Sequence, residues 1–347
     1  MMAESARAEA GGHLALVVGS SRPARAEARA LGWVLTTMGW RVTPISLSSS
    51  VSQRVLAGRI AASGAEVALI RDDRDTRLDL ATWRRLETLG LPILGGGAAL
   101  AALGVSAGLA GRARLLTMLN RAGVPTPVWL QPGPGAERVF ETGACPETAW
   151  LVRRGASPGD HLDDAGDPEP CRDLERAYET VARRGGAWLI EELIEGREFQ
   201  VAWSPEESPD HPGTIGEWVH LPPDLHARVS NRPRPWSLRT QRARRFPGAL
   251  EDRSSRWVCP APLDDSPAQM LRRLTETAPR ALGCVDLALV TIRWDSHGHP
   301  RVVGVDSRPG LGPGSQWARL IRAAGLGYSS TQNRLLARRL RASRRAA

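Results

Sequence analysis

The sequence predicts an α/β protein in which a parallel, helix-covered sheet is followed by two α+β subdomains. Three observations carry that prediction. Between residues 14 and 94 short apolar runs alternate with helical stretches, the rhythm of a parallel sheet flanked by helices. A helix then halts at Gly123 and Pro125, a stop signal that ends the alternation. Beyond it the pattern becomes α+β, and its last two apolar runs are joined by the turn Asp295-Ser296-His297-Gly298, as in an antiparallel pair.

Each element has a local reason. Leu14-Ala15-Leu16-Val17-Val18 is strand-sized and ends in Gly19-Ser20-Ser21. Residues 25–38 are rich in Ala and Leu and read as a helix. Further strand-like runs lie at 42–45, 67–70 and 91–94, separated by helical stretches around 53–62 and 80–88. Gly95-Gly96-Gly97 closes this first unit, assigned to residues 12–105. A central subdomain, 106–203, opens with a helix at 111–122 and continues with strands at 150–153 and 188–192 and a helix near 173–184. Residues 204–250 are rich in Pro, Asp, Glu and Arg with little periodicity, which predicts a long mobile insertion. The last subdomain, 251–342, has a helix at 266–282, strands at 287–294 and 301–306, and a terminal helix with Leu335, Leu336 and Leu340 on one side.

Composition narrows the classes of function. The 347 residues suffice for two or three cores. No apolar run of about 18 residues occurs, so a membrane span is not expected. The N-terminus carries Glu4, Arg7 and Glu9 and no apolar signal core, which leaves a cytoplasmic location as the expectation. Cys145, Cys171, Cys259 and Cys284 show no C-x-x-C spacing, which argues against a zinc site or a disulfide framework.

All 46 basic residues are arginine. Twelve tryptophans against three phenylalanines and two tyrosines point, like the arginines, to GC-rich codons. Whatever the origin, no lysine is present to act as a compact charge for phosphate. The net charge of +9 suits an anionic ligand. Two arginine clusters, 232–245 and 334–345, read as solvated faces rather than a nucleic-acid surface.

Several segments fall in a telling order. Gly90-Leu91-Pro92-Ile93-Leu94-Gly95-Gly96-Gly97 precedes a helix ending Ala122-Gly123-Val124-Pro125-Thr126-Pro127. Then come Glu191-Glu192-Leu193-Ile194-Glu195-Gly196-Arg197-Glu198-Phe199, Cys259-Pro260-Ala261 and Leu282-Gly283-Cys284. Asp306-Ser307-Arg308-Pro309-Gly310-Leu311 and Ala323-Ala324-Gly325 complete the series. Over nearly the whole chain, from about residue 14 to 336, it resembles the D-alanine–D-alanine ligases of the ATP-grasp superfamily. The resemblance implies ATP held between two α+β subdomains, with lysines and magnesium neutralising its phosphates. It also implies a dimer, phosphorylation of one D-alanine carboxylate, and attack by the amine of a second amino acid. Such chemistry rests on positioning and charge stabilisation, so its parts can be checked in turn.

By this resemblance Glu191 and Glu198 would contact the nucleotide, the latter at the ribose. Arg112 and Arg153 stand where the family has two lysines, exchanging a compact ammonium for a planar fork. The glycine-rich loop, Arg154-Gly155-Ala156-Ser157-Pro158-Gly159, is about three residues short, and Pro158 removes a backbone N–H. At the family's magnesium positions stand Thr291, Gly304 and Asp306, of which only Asp306 is a hard anionic ligand. Asp286 and Asp295 lie several residues from those positions.

At the peptide-forming end Leu289 replaces the oxyanion arginine, and Ile70-Arg71-Asp72-Asp73 fills the stretch of the family's histidine. Glu27 is the nearest candidate for the glutamate that receives the substrate amine. Ser315 matches a substrate-carboxylate serine and reads equally as a helix N-cap.

The expectation is an ATP-grasp protein that binds ATP or another anion weakly and has lost ligation, with Asp306 able to hold one weakly bound Mg2+ at most and not two. One alternative is an active carboxylate–amine ligase with a rearranged metal site and altered substrate. The other is an arginine-rich binder of nucleic acid or anionic surfaces. Codon drift accounts for Lys becoming Arg, but not for an acid becoming Thr291 or an arginine becoming Leu289. That selective loss favours the first reading.

Overall fold

A computed structural model describes residues 11–48, 52–71, 76, 78–103, 108–131, 148–154, 169–184, 186–205, 213–220 and 255–346. The glycine-rich loop beyond Arg154, Cys145, Asp72, Asp73 and the arginine cluster 232–245 lie outside the described residues.

The first sheet is parallel, in the order β2 (Arg41–Ser46), β1 (His13–Val18), β3 (Val67–Arg71). The whole of β1 is buried, as expected of a central parallel strand with both faces covered. Pro44 is tolerated because β2 is an edge strand, where a missing donor breaks no ladder. Residues 91–94, expected as a fourth strand, form a single parallel bridge between Ile93 and Ala68.

Helix α1 (Arg22–Thr37) starts at Ser21, whose hydroxyl accepts from the Ala24 amide, with Pro23 in the first turn. It buries Ala28, Leu31, Val34 and Leu35 on one stripe. Helices α2 (Gln53–Ala62) and α3 (Leu80–Glu87) are capped in the same way by Ser52 and Asp79. The short helix α4 (Ala98–Ala101) follows the glycine run.

Helix α5 (Gly108–Arg121) leads to a four-stranded antiparallel sheet ordered β4 (Trp129–Leu130), β7 (Trp188–Glu192), β5 (Trp150–Arg154), β6 (Glu169–Cys171). Helix α6 (Leu174–Arg184) packs on it, and Ala177 joins Leu130, Trp150, Val152 and Ile190 in one core.

A second antiparallel sheet runs β10 (Ser255–Val258), β9 (Ile215–His220), β8 (Gly196–Trp203), β11 (Ala288–Asp295), β12 (Pro300–Asp306). Two features differ from the sequence expectation. Strand β8, grouped by sequence with the central subdomain, hydrogen-bonds to β11 and β9. Residues 215–220, inside the expected irregular insertion, form β9 between β8 and β10. Its Gly216 carries Trp257 where a Cβ would stand, so the packing that stabilises this strand comes from a residue about forty positions away.

Helix α7 (Asp265–Ala281) covers this sheet through Ala268, Leu271 and Ala278, and α5 adds Leu115, Leu116 and Leu119 to the same core. The chain ends with α8 (Gln316–Ala323) and α9 (Tyr328–Ala346). Leu335 and Leu336 of α9 are buried against Leu16, Trp40 and Trp317. Asn333 accepts the Trp40 indole N–H at 2.7 Å. Arg344 pairs with Glu66, and Arg338 donates to the Asp286 carbonyl at 2.6 Å. The tail that read as a solvated arginine face is thus also a packed part of the N-terminal core.

Candidate functional site

Three of the residues singled out by sequence meet at one point. Glu191 lies near the end of β7, opposite Trp129 of β4 and Leu151 of β5. It is 1% exposed. Arg112, from the early part of α5, grips its carboxylate with two nitrogens: Nε donates to Oε2 at 3.1 Å and Nη2 to Oε1. Arg153, from β5, donates its Nε to Oε2 at 2.7 Å. The third donor of Arg112, Nη1, reaches the Val303 carbonyl of β12 at 2.7 Å. The cluster therefore ties the four-stranded sheet to the five-stranded one. Burial pushes the Glu191 carboxyl up, but the charges and hydrogen bonds of Arg112 and Arg153 outweigh it and hold it at about 2.

Glu198 has its own charged neighbours. It is buried on β8, with the His220 ring 3.6 Å away and the Arg293 guanidinium 3.9 Å away. Its cross-strand partners are Arg293 on β11 and Trp218 on β9. Neither Arg293 nor His220 stood out in the sequence. The signal was available: an arginine inside an otherwise apolar strand run is uncommon unless an acid faces it.

The positions where the family resemblance would place magnesium are differently built. Thr291 and Gly304 face each other across β11 and β12, and Asp306 pairs with Leu289. Gln200 of β8 donates to the Thr291 hydroxyl at 3.5 Å and accepts from the Trp218 indole at 3.3 Å. A neutral chain of side chains thus runs up to the position where the family resemblance would call for a carboxylate beside a divalent ion. Asp306 is exposed and accepts from the Arg308 amide at 2.9 Å. Among the described residues no three His, Cys, Asp or Glu side chains gather to hold a metal. This donor set does not fit a pair of magnesium ions.

The two other acids are used locally. Asp286 is buried, accepts from the Gly95 amide at 2.9 Å and lies 3.7 Å from the Arg339 Nε. Burial pushes its carboxyl up, partly offset by Arg339, the Gly95 amide and Arg338. Asp295 closes the β11–β12 turn by accepting from His297 and His299.

Glu27 and Ser315 flank the loop after β12. One Glu27 oxygen accepts from the amides of Leu311 at 2.9 Å and Gly312 at 3.0 Å. The other lies 3.3 Å from Arg71, whose Nη1 donates to the carbonyls of Arg308 and Pro309. Arg308 stacks on Trp83 with 4.5 Å from its guanidinium carbon to the ring centroid. Ser315 caps α8, accepting from the Ala318 amide at 3.1 Å, which is the N-cap geometry its sequence context allowed. Leu289 is buried in the core shared with Leu311 and Trp317. Arg71 is the residue the sequence reading passed over. It stands at the C-terminal end of a parallel strand, where open α/β sheets place ligand-contacting groups.

Comparison with known proteins bears on the fold that carries these residues. Residues 245–337 match the family model described as the D-ala D-ala ligase C-terminus. An uncharacterized protein of Sinorhizobium fredii, y4sG, is 30% identical over 168 residues, 48% of this chain and 45% of that one. A D-alanine–D-alanine ligase of Alcanivorax borkumensis is 26% identical over 227 residues, 65% of this chain and 62% of the relative. These matches span less than two thirds of either relative.

The structural likeness extends further. The D-alanine–D-alanine ligase of Bacillus anthracis, solved in complex with ATP, superposes with a TM-score of 0.68 at 16% identity, covering 97% of this chain and 100% of that one. The VanG D-Ala:D-Ser ligase of Enterococcus faecalis gives 0.60 at 15% identity, covering 94% and 98%. No helix among the described residues is long and apolar enough to cross a membrane. The chain therefore has the ATP-grasp fold of the D-alanine–D-alanine ligases, and its C-terminal part matches their family model.

Proposed function

We propose that this protein binds a nucleotide phosphate where its two antiparallel sheets meet, and that it does not carry out metal-dependent ligation. The observation that carries the reading is the meeting of Arg112 and Arg153 on Glu191. Two cations from different elements converge there, in a fold whose Bacillus anthracis relative was solved with ATP. Loss of ligation is supported by the neutral chain through Gln200 and Thr291 and by Gly304 opposite it. A unit charge pair about 4 Å apart is worth roughly 4 kcal/mol at an effective dielectric of 20. Removing two carboxylates beside divalent ions therefore costs at least about a thousandfold in any metal-dependent rate. Glu27, which the resemblance would assign to a substrate amine, is engaged by the amides of the 311–312 loop. A cytoplasmic location and a homodimer belong to the same reading.

Calorimetry of the full chain with ATP, with and without magnesium, tests it. Binding that ignores magnesium and weakens when Arg153 is replaced is the expected result. Tight binding that appears only with magnesium, or release of ADP in the presence of amino acids, would favour an active ligase and end the proposal.

A further inference from the structure

Resting on the nucleotide reading, we infer that the two arginines have different jobs: Arg153 is the phosphate contact, Glu191 positions it, and Arg112 is a rivet between the two sheets. A guanidinium has two edges that can take a forked partner, the side edge of Nε with one terminal nitrogen and the end edge of the two terminal nitrogens. Arg112 gives its side edge to both oxygens of Glu191 and one of its end nitrogens to the Val303 carbonyl. Neither edge is left whole. Arg153 gives only Nε to Glu191, and its terminal nitrogens have no partner among the described residues. The exposure of the side chains runs the same way, 31% for Arg153 against 17% for Arg112.

Glu191 does two things at once. It cancels one of the two positive charges, and by holding Nε it fixes the plane in which the free edge of Arg153 lies. A fixed fork meets a phosphate without first losing rotamer freedom. One free edge accommodates one phosphate group, fork to fork. The ligand class is therefore a nucleotide held through a single phosphate without a divalent metal. Its second and third phosphates find no further free edge on this pair of guanidiniums.

The test is calorimetry of the full chain with AMP, ADP and ATP in a chelating buffer, beside thermal unfolding of each variant. The three nucleotides should bind within about tenfold of one another, since they share the same single contact. Arg153→Lys keeps the charge but not the fork, and should weaken AMP by about tenfold or more while lowering thermal stability less than Arg112→Lys does, since it gives up one hydrogen bond to Glu191 and no link between the sheets. Arg112→Lys should lower thermal stability more than Arg153→Lys does and weaken AMP several-fold less than Arg153→Lys does, since it loses the link to Val303 but not the phosphate contact. Glu191→Gln adds a net positive charge, so it separates positioning from neutralisation by sign: a positioning role predicts weaker AMP binding. Stronger binding in that variant overturns the inference. So does an equal loss of affinity at Arg112 and Arg153, or ATP binding more than about a hundredfold tighter than AMP. In those cases the nucleotide reading stands; absence of all nucleotide binding by the wild-type chain ends both.

Discussion

Glu191 links the stability of this protein to pH through a single buried carboxylate. Its carboxyl is held at about 2 in the folded chain, whereas an unfolded glutamate titrates near about 4.3. Between those values the unfolded chain binds a proton that the folded chain does not. Stability from this group is therefore complete above about pH 4.5 and is lost as pH falls towards about 2. At about 1.4 kcal/mol per pKa unit the loss is on the order of 3 kcal/mol. Urea unfolding of wild type and Glu191→Gln at pH 7, 4 and 3 reads it directly. The gap between the two proteins should shrink as pH falls, and a constant gap would show that the carboxylate is not the titrating group. Arg112, Arg153 and Glu191 were all separate candidates in the sequence, because the family resemblance puts each at a nucleotide-contacting position. That they neutralise one another was not visible. Their separations of 41 and 38 residues along the chain carry no information about distance.

At the scale of elements, the Gly95 turn and the 307–312 loop hold the N-terminal domain against the five-stranded sheet. Gly95 has φ +67°, and a Cβ there would collide with the Ser307 carbonyl oxygen. Its amide also caps the buried Asp286 carboxylate. Gly95→Ala should cost about 2–3 kcal/mol through left-handed backbone strain and the forced retreat of Ser307. A lowered urea midpoint with an unchanged slope is the expected result, and a neutral substitution would mean that the loop moves aside freely. The three caps Ser21, Ser52 and Ser315 and the apolar run of β1 follow from local sequence. Strand β9 does not, because Gly216 and Glu217 give it no alternating apolar face. Its burial is supplied by Trp257 of β10, and Glu217 is paired with Arg197 of β8.

The whole molecule is joined by a core that mixes its two ends. Leu14, Leu16 and Leu31 share one apolar cluster with Leu289, Leu311, Trp317, Leu335 and Leu336. Replacing Leu336 with alanine should therefore destabilise the entire chain, by about 2–5 kcal/mol. Thermal unfolding followed by tryptophan fluorescence and by far-UV circular dichroism should shift together. A shift confined to one probe would mean that α9 unfolds by itself. Sequence alone determined the alternation of the first domain, the helix stop at Gly123 and the absence of lysine, since each is a property of residue type and short spacing, while the reading of Thr291 and Gly304 as missing carboxylates came from the family resemblance. Only the tertiary structure decided that the arginine tail packs as core, that Glu27 is engaged by the 311–312 amides, and that Arg112 and Arg153 share one acid. Those facts depend on where distant segments meet, and a charge or a leucine takes its meaning from the partner that folding brings beside it.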